Sequence, residues 1–289
     1  MTARAISRPR PRLMPRTTTG RRRLLTVVLV VVLGLMLLPY VWLVLTSLKT
    51  RTDIFSGDVF SPFTPTLENF RLAFVQKGFA RNLLNSTVVA TSAMAIAMAV
   101  GVPAGYALSR TTARSGTILL FVMLAARLMP VVVLAVPLFV IMANLGLVGT
   151  YAGPIVAHLT FLVPFVVWMM RGFFLAVPKE LDEAALMDGA SRGRYFVTLL
   201  LPMTRGPLAA TAIFALINSW NELLYGLILT NKATATLPVA TPSLMTPIGT
   251  FWGQIAAVGV VTTLPVLVFA LLVQRHIVRG MTGGALSDG

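Results

Sequence analysis

Long apolar runs separated by short charged breaks dominate the chain. Runs of about 20 such residues cross a bilayer as helices. Six are read here: Leu24–Leu48, Leu83–Leu108, Ile118–Ala143, Tyr151–Met170, Pro207–Leu229 and Ile255–Gln274. Several hold proline or glycine, at Pro39, Gly101, Pro103, Pro130, Pro137, Pro164 and Pro265. Neighbouring helices can re-satisfy the backbone groups that such residues free. The pattern therefore predicts a packed bundle rather than isolated rods in lipid. The expected organisation is a disordered arm over 1–23, a first span over 24–48 and an external loop over 49–82. A five-helix core over 83–275 and a tail over 276–289 follow.

Composition sharpens this to an all-α integral membrane protein. Of 289 residues, 56% are hydrophobic and only 11% charged, against roughly 25% charged in a soluble domain. There is no cysteine and there are only two histidines, which excludes disulfides and thiolate chemistry and argues against a metal cluster. The net charge of +15 sits at the ends of apolar runs. That is the pattern of membrane orientation, not of nucleic-acid binding. Eight arginines precede the first run, so the arm is placed in the cytoplasm. The first run is long for a signal peptide and lacks a small-residue cleavage site, so it reads as a retained helix. Six spans then return the C-terminus to the same side. On this topology the inside segments hold 17 Lys and Arg residues and the outside segments 6, in keeping with that orientation. In the outer loop Leu67–Phe74 is expected as a short interfacial helix, after Pro62 and Pro65.

Between the fourth and fifth runs lies a polar inside loop, Arg171 to Arg205. Pro178, Glu180, Asp182 and Glu183 open it like a helix N-terminus, since proline suits the first turn and carboxylates complement the dipole. Gly189 suits a turn and Ser191 an N-cap for a second helix through Tyr195 and Leu199, which Pro202 is expected to end. Ala184, Ala185 and Ala190 are expected to form one flat surface that fits a groove on a partner.

The stretch EAALMDGASRGRYFVTLLLP, Glu183 to Pro202, resembles the EAA motif of ATP-binding-cassette importer permeases. That pattern is Glu-Ala-Ala, three residues, Gly, nine residues, Ile, one residue, Leu-Pro. Glu183, Ala184, Ala185, Gly189, Leu201 and Pro202 match it, with Leu199 in place of the isoleucine. The stretches ARLMPVVVLAVPLFVIMANLGLVGTYAGPIV and NSWNELLYGLILT and the tail QRHIVRGMTGGAL resemble the carbohydrate-uptake, maltose-type branch. The resemblance implies a six-helix type I importer permease of the bacterial inner membrane. It implies a second permease subunit as heterodimer partner, two ATPase subunits, an extracytoplasmic solute-binding protein and a sugar as substrate. Glu183, Ala184, Ala185, Asp188, Gly189, Ala190, Leu201 and Pro202 would then couple to the ATPase. On its own terms the chain offers no phosphate loop: none of Lys49, Lys77, Lys179 and Lys232 follows a glycine. The expectation is a transporter subunit that is not itself an enzyme and holds no cofactor, with ATP and Mg bound by the partner ATPase.

Candidate path residues lie in the fifth run. Asn218, Asn221, Glu222 and Tyr225 are spaced to share one face of a helix. Amides, a carboxylate and an aromatic suit sugar hydroxyls and apolar ring faces. A polar contact between helices is the other reading of the same stripe. Arg127 in the third run either pairs with Glu222 or snorkels, and His158 beside Phe161 and Phe165 reads as a packing histidine. Two rival classes remain. An ion-coupled secondary transporter would need more intramembrane carboxylates than Glu222. A scaffold without transport would not need the docking loop. Within the importer reading, a non-sugar solute is the alternative.

Overall fold

Which residues build helix follows from the apolar runs, and where the helices end follows from proline, glycine and caps. The computed structural model describes residues 19–56, 62–247 and 249–284. The main helices are α1 (Thr19–Ser47), α2 (Phe79–Arg110), α3 (Arg114–Leu128), α4 (Val131–Asn144) and α5 (Ala152–Leu175). Then come α6 (Glu180–Met187), α7 (Arg192–Met203), α8 (Arg205–Trp220), α9 (Leu224–Leu229) and α10 (Trp252–Gly284). A two-residue antiparallel pairing, Met245–Thr246 with Gly249–Thr250, precedes α10. Of the arm expected to be disordered over 1–23, residues 1–18 lie outside the described residues, and 19–23 are instead the first turns of α1. Helix continues into the expected tail as far as Gly284.

The bundle is organised on α2 against α5. Glycine makes the close approach possible: a Cβ on Gly101 would stand 2.7 Å from Val166 Cγ1, and one on Gly105 3.0 Å from the Val167 carbonyl oxygen. Ala93, Ala97, Leu162, Val166, Met170 and Phe174 are fully buried along this seam. Helix α8 packs on both helices, and α1 leans on α10. Most of α1 stays exposed, including Leu24, Val30 and Met36, as suits a helix facing lipid.

Long-range hydrogen bonds fix which ends lie together. At the Phe79 end, Asn82 Nδ2 donates to the Ala235 carbonyl at 2.8 Å and Tyr151 Oη to Asn85 Oδ1 at 2.7 Å. At the opposite end, Arg110 donates to the Phe174 carbonyl at 2.9 Å. The chain thus crosses the bundle in α2, again between Arg114 and Tyr151, again in α5 and again between Arg205 and Asn231. With α1 and α10 this makes six passes along the bundle; by length and composition three of the described helices can cross a membrane, or up to five if each bent pair is one span, against the six spans expected.

Two of the six are not continuous helices, which corrects the sequence expectation. The third traversal breaks at Pro130, where α3 and α4 meet at 99°. Proline bars the residue before it from helix, and Met129 is extended at φ −66°, ψ 131°. The fifth breaks after Trp220, and α9 restarts at Leu224. Pro39, Pro103, Pro137 and Pro164 stay inside their helices. Pro202 does not end the loop's second helix as expected. It follows a widened π-type stretch, Phe196–Leu200, which makes room for a ring that would press on the carbonyl four residues back. The chain turns instead at Thr204, with 81° between α7 and α8. In the loop after α1, Glu68–Phe70 and the wide helix Arg71–Gln76 stand where a short helix is expected.

Candidate functional site

The loop between α5 and α8 is an elbow of two helices built by local chemistry. Glu180, Asp182 and Glu183 occupy the first turn of α6, where carboxylates complement the dipole. The helix closes on Gly189 at φ +80°. The Ala190 N–H donates to the Ala185 carbonyl and the Gly189 N–H to the Leu186 carbonyl, each at 3.0 Å. That paired closure needs a left-handed residue. A Cβ at Gly189 would meet nothing within 4 Å, so backbone conformation rather than room calls for glycine. Ser191 Oγ accepts from the Arg194 N–H at 3.3 Å and starts α7.

The motif residues all lie on this elbow, but not on one surface. Glu183, Ala184, Asp188, Gly189 and Pro202 are exposed, whereas Ala185, Ala190 and Leu201 are half-buried. Ala185 packs back on the bundle core, so the expected flat face of Ala184, Ala185 and Ala190 is divided. What α6 presents outward is an edge of Glu183, Ala184, Leu186 and Met187, with Met187 88% exposed.

A clamp that sequence reasoning missed holds the elbow to the bundle. Arg110, the last residue of α2, reaches Asp182 with Nε to Oδ2 at 2.6 Å and Nη2 to Oδ1 at 3.1 Å. It also donates to the Phe174 and Val177 carbonyls, at 2.9 and 3.2 Å. Tyr106 Oη donates to Asp182 Oδ2 at 3.2 Å. Both charged side chains are only 15% exposed. Burial, the largest single effect, pushes the Asp182 carboxyl up, but hydrogen bonds from Arg110, Tyr195 and Tyr106 and the Arg110 charge together outweigh it and leave the group below the usual carboxylate range. The enclosed Tyr195 phenol beside it is pushed up to about 12, by burial first and by Asp182 second. A cleft of about 580 Å³ opens alongside, edged by Lys179, Glu183 and Arg192. In the sequence Arg110 counts only as an inside charge and Asp182 only as a first-turn carboxylate. The pair is separated by 72 residues, and no spacing rule joins them.

The four path candidates separate because their helix breaks. Asn218 and Asn221 are exposed, and their amides bond back to the Phe214 and Ile217 carbonyls at 2.7 and 3.0 Å. Glu222 turns inward and caps α9, accepting from the Tyr225 N–H at 3.0 Å and the Gly226 N–H at 3.2 Å. Its Oε2 lies 3.3 Å from His158 Nε2, off line for a good hydrogen bond. His158 Nδ1 meets Ser219 Oγ at 2.6 Å, and Phe161 and Tyr225 flank the imidazole. Tyr225 is itself buried. His158 is thus a packing histidine that ties α5 across the break of the fifth traversal. Arg127 does not reach Glu222. Its guanidinium lies 4.6 Å from the Phe165 ring centroid, a cation–π contact.

Comparison with known proteins follows the same lines. Residues 97–283 match the family model described as binding-protein-dependent transport system inner membrane component. A probable ABC transporter permease, y4oR, of Sinorhizobium fredii is 36% identical over 93% of this chain and 96% of its own length. The trehalose transport system permease SugB of Mycobacterium tuberculosis is 36% identical over 88% of this chain and 94% of its own. In fold, a chain of a bacterial ABC transporter involved in import of the acidic polysaccharide alginate superposes with a TM-score of 0.74, at 19% identity, over 91% of this chain and 99% of that one.

Proposed function

Since the chain belongs to the family of binding-protein-dependent transport system inner membrane components, we propose that it is a permease subunit of an ATP-binding-cassette importer that takes up a sugar. Full-length likeness to a trehalose permease carries the substrate class. In this reading the elbow of α6 and α7 faces the cytoplasm and its Met187 edge seats in a groove of a partner ATPase, where ATP and Mg are bound. The Phe79 end faces outward and receives sugar from a soluble binding protein. A second permease subunit completes the solute path.

The mechanism follows from the connections of the elbow. Movement of the ATPase pushes α6. Arg110 passes that push directly to α2 and, through the Phe174 and Val177 carbonyls, to the end of α5. Because α2 and α5 pack along a buried seam and approach closely at Gly101 and Gly105, they shift as one body. The breaks at Pro130 and after Trp220 give the other traversals places to flex. Exposed Asn218 and Asn221 are the groups available to sugar, whereas Glu222 and Tyr225 hold the break from within. Irregular backbone at membrane depth must face protein or water, which supports placing both breaks along the path.

The test is ATP hydrolysis by the whole complex in lipid. Sugar-loaded binding protein should stimulate it. Hydrolysis indifferent to every sugar tried, with the complex intact, would refute the assignment.

A further inference from the structure

We infer that Arg127 marks the seam against the second permease subunit, and that this subunit is a different chain that brings a carboxylate to the middle of the membrane. The inference rests on the importer-permease reading above.

Arg127 carries a charge that the bundle leaves unanswered. Its side chain is exposed. The ion pairs among the described residues are Arg71 with Glu68, Arg110 with Asp182 and His158 with Glu222, and none of them includes Arg127. Its guanidinium lies 4.6 Å from the Phe165 ring centroid, and that ring fixes its depth. Phe165 is 13 residues from one end of α5 and 10 from the other, which is about 20 and 15 Å at the helical rise. A charge held there must meet protein, water or a counter-charge, because bare hydrocarbon penalises it heavily. Headgroup phosphates lie outside a hydrocarbon core about 30 Å thick, so a lipid anion does not reach it.

The surroundings decide what answers the charge. The guanidinium borders a dimple of about 200 Å³, walled by Leu120, Met123, Leu124, Pro164, Phe165 and Trp168. That is smaller than most small-ligand sites, and the indole N–H of Trp168 is the one side-chain group among those walls that could bond a sugar hydroxyl. The dimple has room for one side chain of a neighbouring helix. Around it Phe121, Leu128, Val132 and Val136 are each at least 70% exposed, an apolar face that continues across the Pro130 break. Such a face packs a helix or lipid equally well. The charge is what requires the neighbour to be protein.

The kind of partner follows from this chain's own acids. Of its nine acidic residues, only Glu222 falls within an apolar run. Glu222 is 10% exposed, caps α9 and stands beside His158. Two identical copies would therefore leave both arginines unanswered. The seam calls for a different permease with Asp or Glu in a span. A guanidinium takes a carboxylate through two parallel N–H bonds, which fixes the register of the two subunits and discriminates against pairing of like chains.

The test is photo-crosslinking in the purified complex of permeases and ATPase in lipid nanodiscs, with a photoreactive phenylalanine at Trp168, which is 56% exposed at the rim of the dimple. It should capture a span of the second permease that contains Asp or Glu. Arg127→Gln should weaken the hold on that subunit about tenfold or more, and Arg127→Glu should abolish it. Replacing the captured acid with arginine should restore assembly of the Arg127→Glu chain. A misfolded chain cannot be rescued from its partner's side, so restoration also excludes misfolding. Capture of lipid alone, of a second copy of this chain or of a span without an acid overturns the seam, and so does failed restoration. Assembly of Arg127→Gln at wild-type strength overturns it too, because the charge then faces water or solute. If the wild-type complex still hydrolyses ATP in response to sugar-loaded binding protein, only this inference falls. If it does not, the importer reading falls with it.

Discussion

Replacing Asp182 with asparagine tests whether the Arg110 clamp carries the push from the ATPase. The substitution keeps the shape and one acceptor oxygen. It removes the charge and one of the two bonds at 2.6 and 3.1 Å. A hydrogen bond to a charged group is worth about 1.5–3 kcal/mol. The pair lies at the edge of the bundle, so water replaces part of the loss, and about 2 kcal/mol is the working figure. That raises the population of elbows released from α2 by roughly 30-fold. In proteoliposomes, ATP hydrolysis should persist while sugar moved per ATP falls, and Arg110→Lys should fall less. The pH dependence has a definite sign. The folded carboxyl titrates below its ordinary value, so its contribution is fully present above the unfolded value of about 3.9. It is lost only as pH falls through the folded value. Coupling owed to this pair should therefore be flat from pH 5 to 8. An Asp182→Asn complex that assembles normally and couples like wild type would refute the clamp.

Other outcomes follow from the same geometry. Gly189→Trp must hold an L-residue at φ +80°, a strain of about 1–2 kcal/mol, and places bulk on the docking edge. Sugar-stimulated ATP hydrolysis should vanish while insertion into the membrane is normal, as pulse labelling would show. A cysteine at Met187, 88% exposed, should crosslink to the ATPase and not to the binding protein. Asn221→Ala should weaken uptake by about tenfold with the complex intact, whereas Glu222→Ala strips the cap of α9 and should lower the melting temperature of the complex. Equal effects of these two on melting would show that the exposed and inward groups play one role. A reporter active only outside the cytoplasm should be silent when fused at the C-terminus and active after Gly78.

The spans and the elbow were legible because their signals are local. Apolar length fixes a traversal, and Gly189 and Ser191 mark helix ends within a few residues. The breaks were not legible. Pro130 looks no different in sequence from Pro137 or Pro164, yet only at Pro130 does the chain leave helix. Whether a proline bends or breaks a span depends on how neighbours cover the freed backbone, which sequence spacing does not encode. Assuming one unbroken fifth helix put Asn221 and Glu222 on one face. The structure turns them apart because the glutamate caps a new helix. Arg127 and Glu222 are the obvious charges to pair, but His158 is nearer to the carboxylate and an aromatic ring nearer to the guanidinium. Partners 61 or 72 residues away, such as Ser219 for His158 and Asp182 for Arg110, are set by packing.

The central claim is tested most directly by uptake of radiolabelled mono-, di- and oligosaccharides into proteoliposomes that hold the chain with its permease partner and ATPase. Accumulation of a sugar that requires both ATP inside the pathway's cytoplasmic face and binding protein on the other is the predicted result. Accumulation driven by a proton or sodium gradient without ATP, or of a non-sugar solute alone, would contradict it.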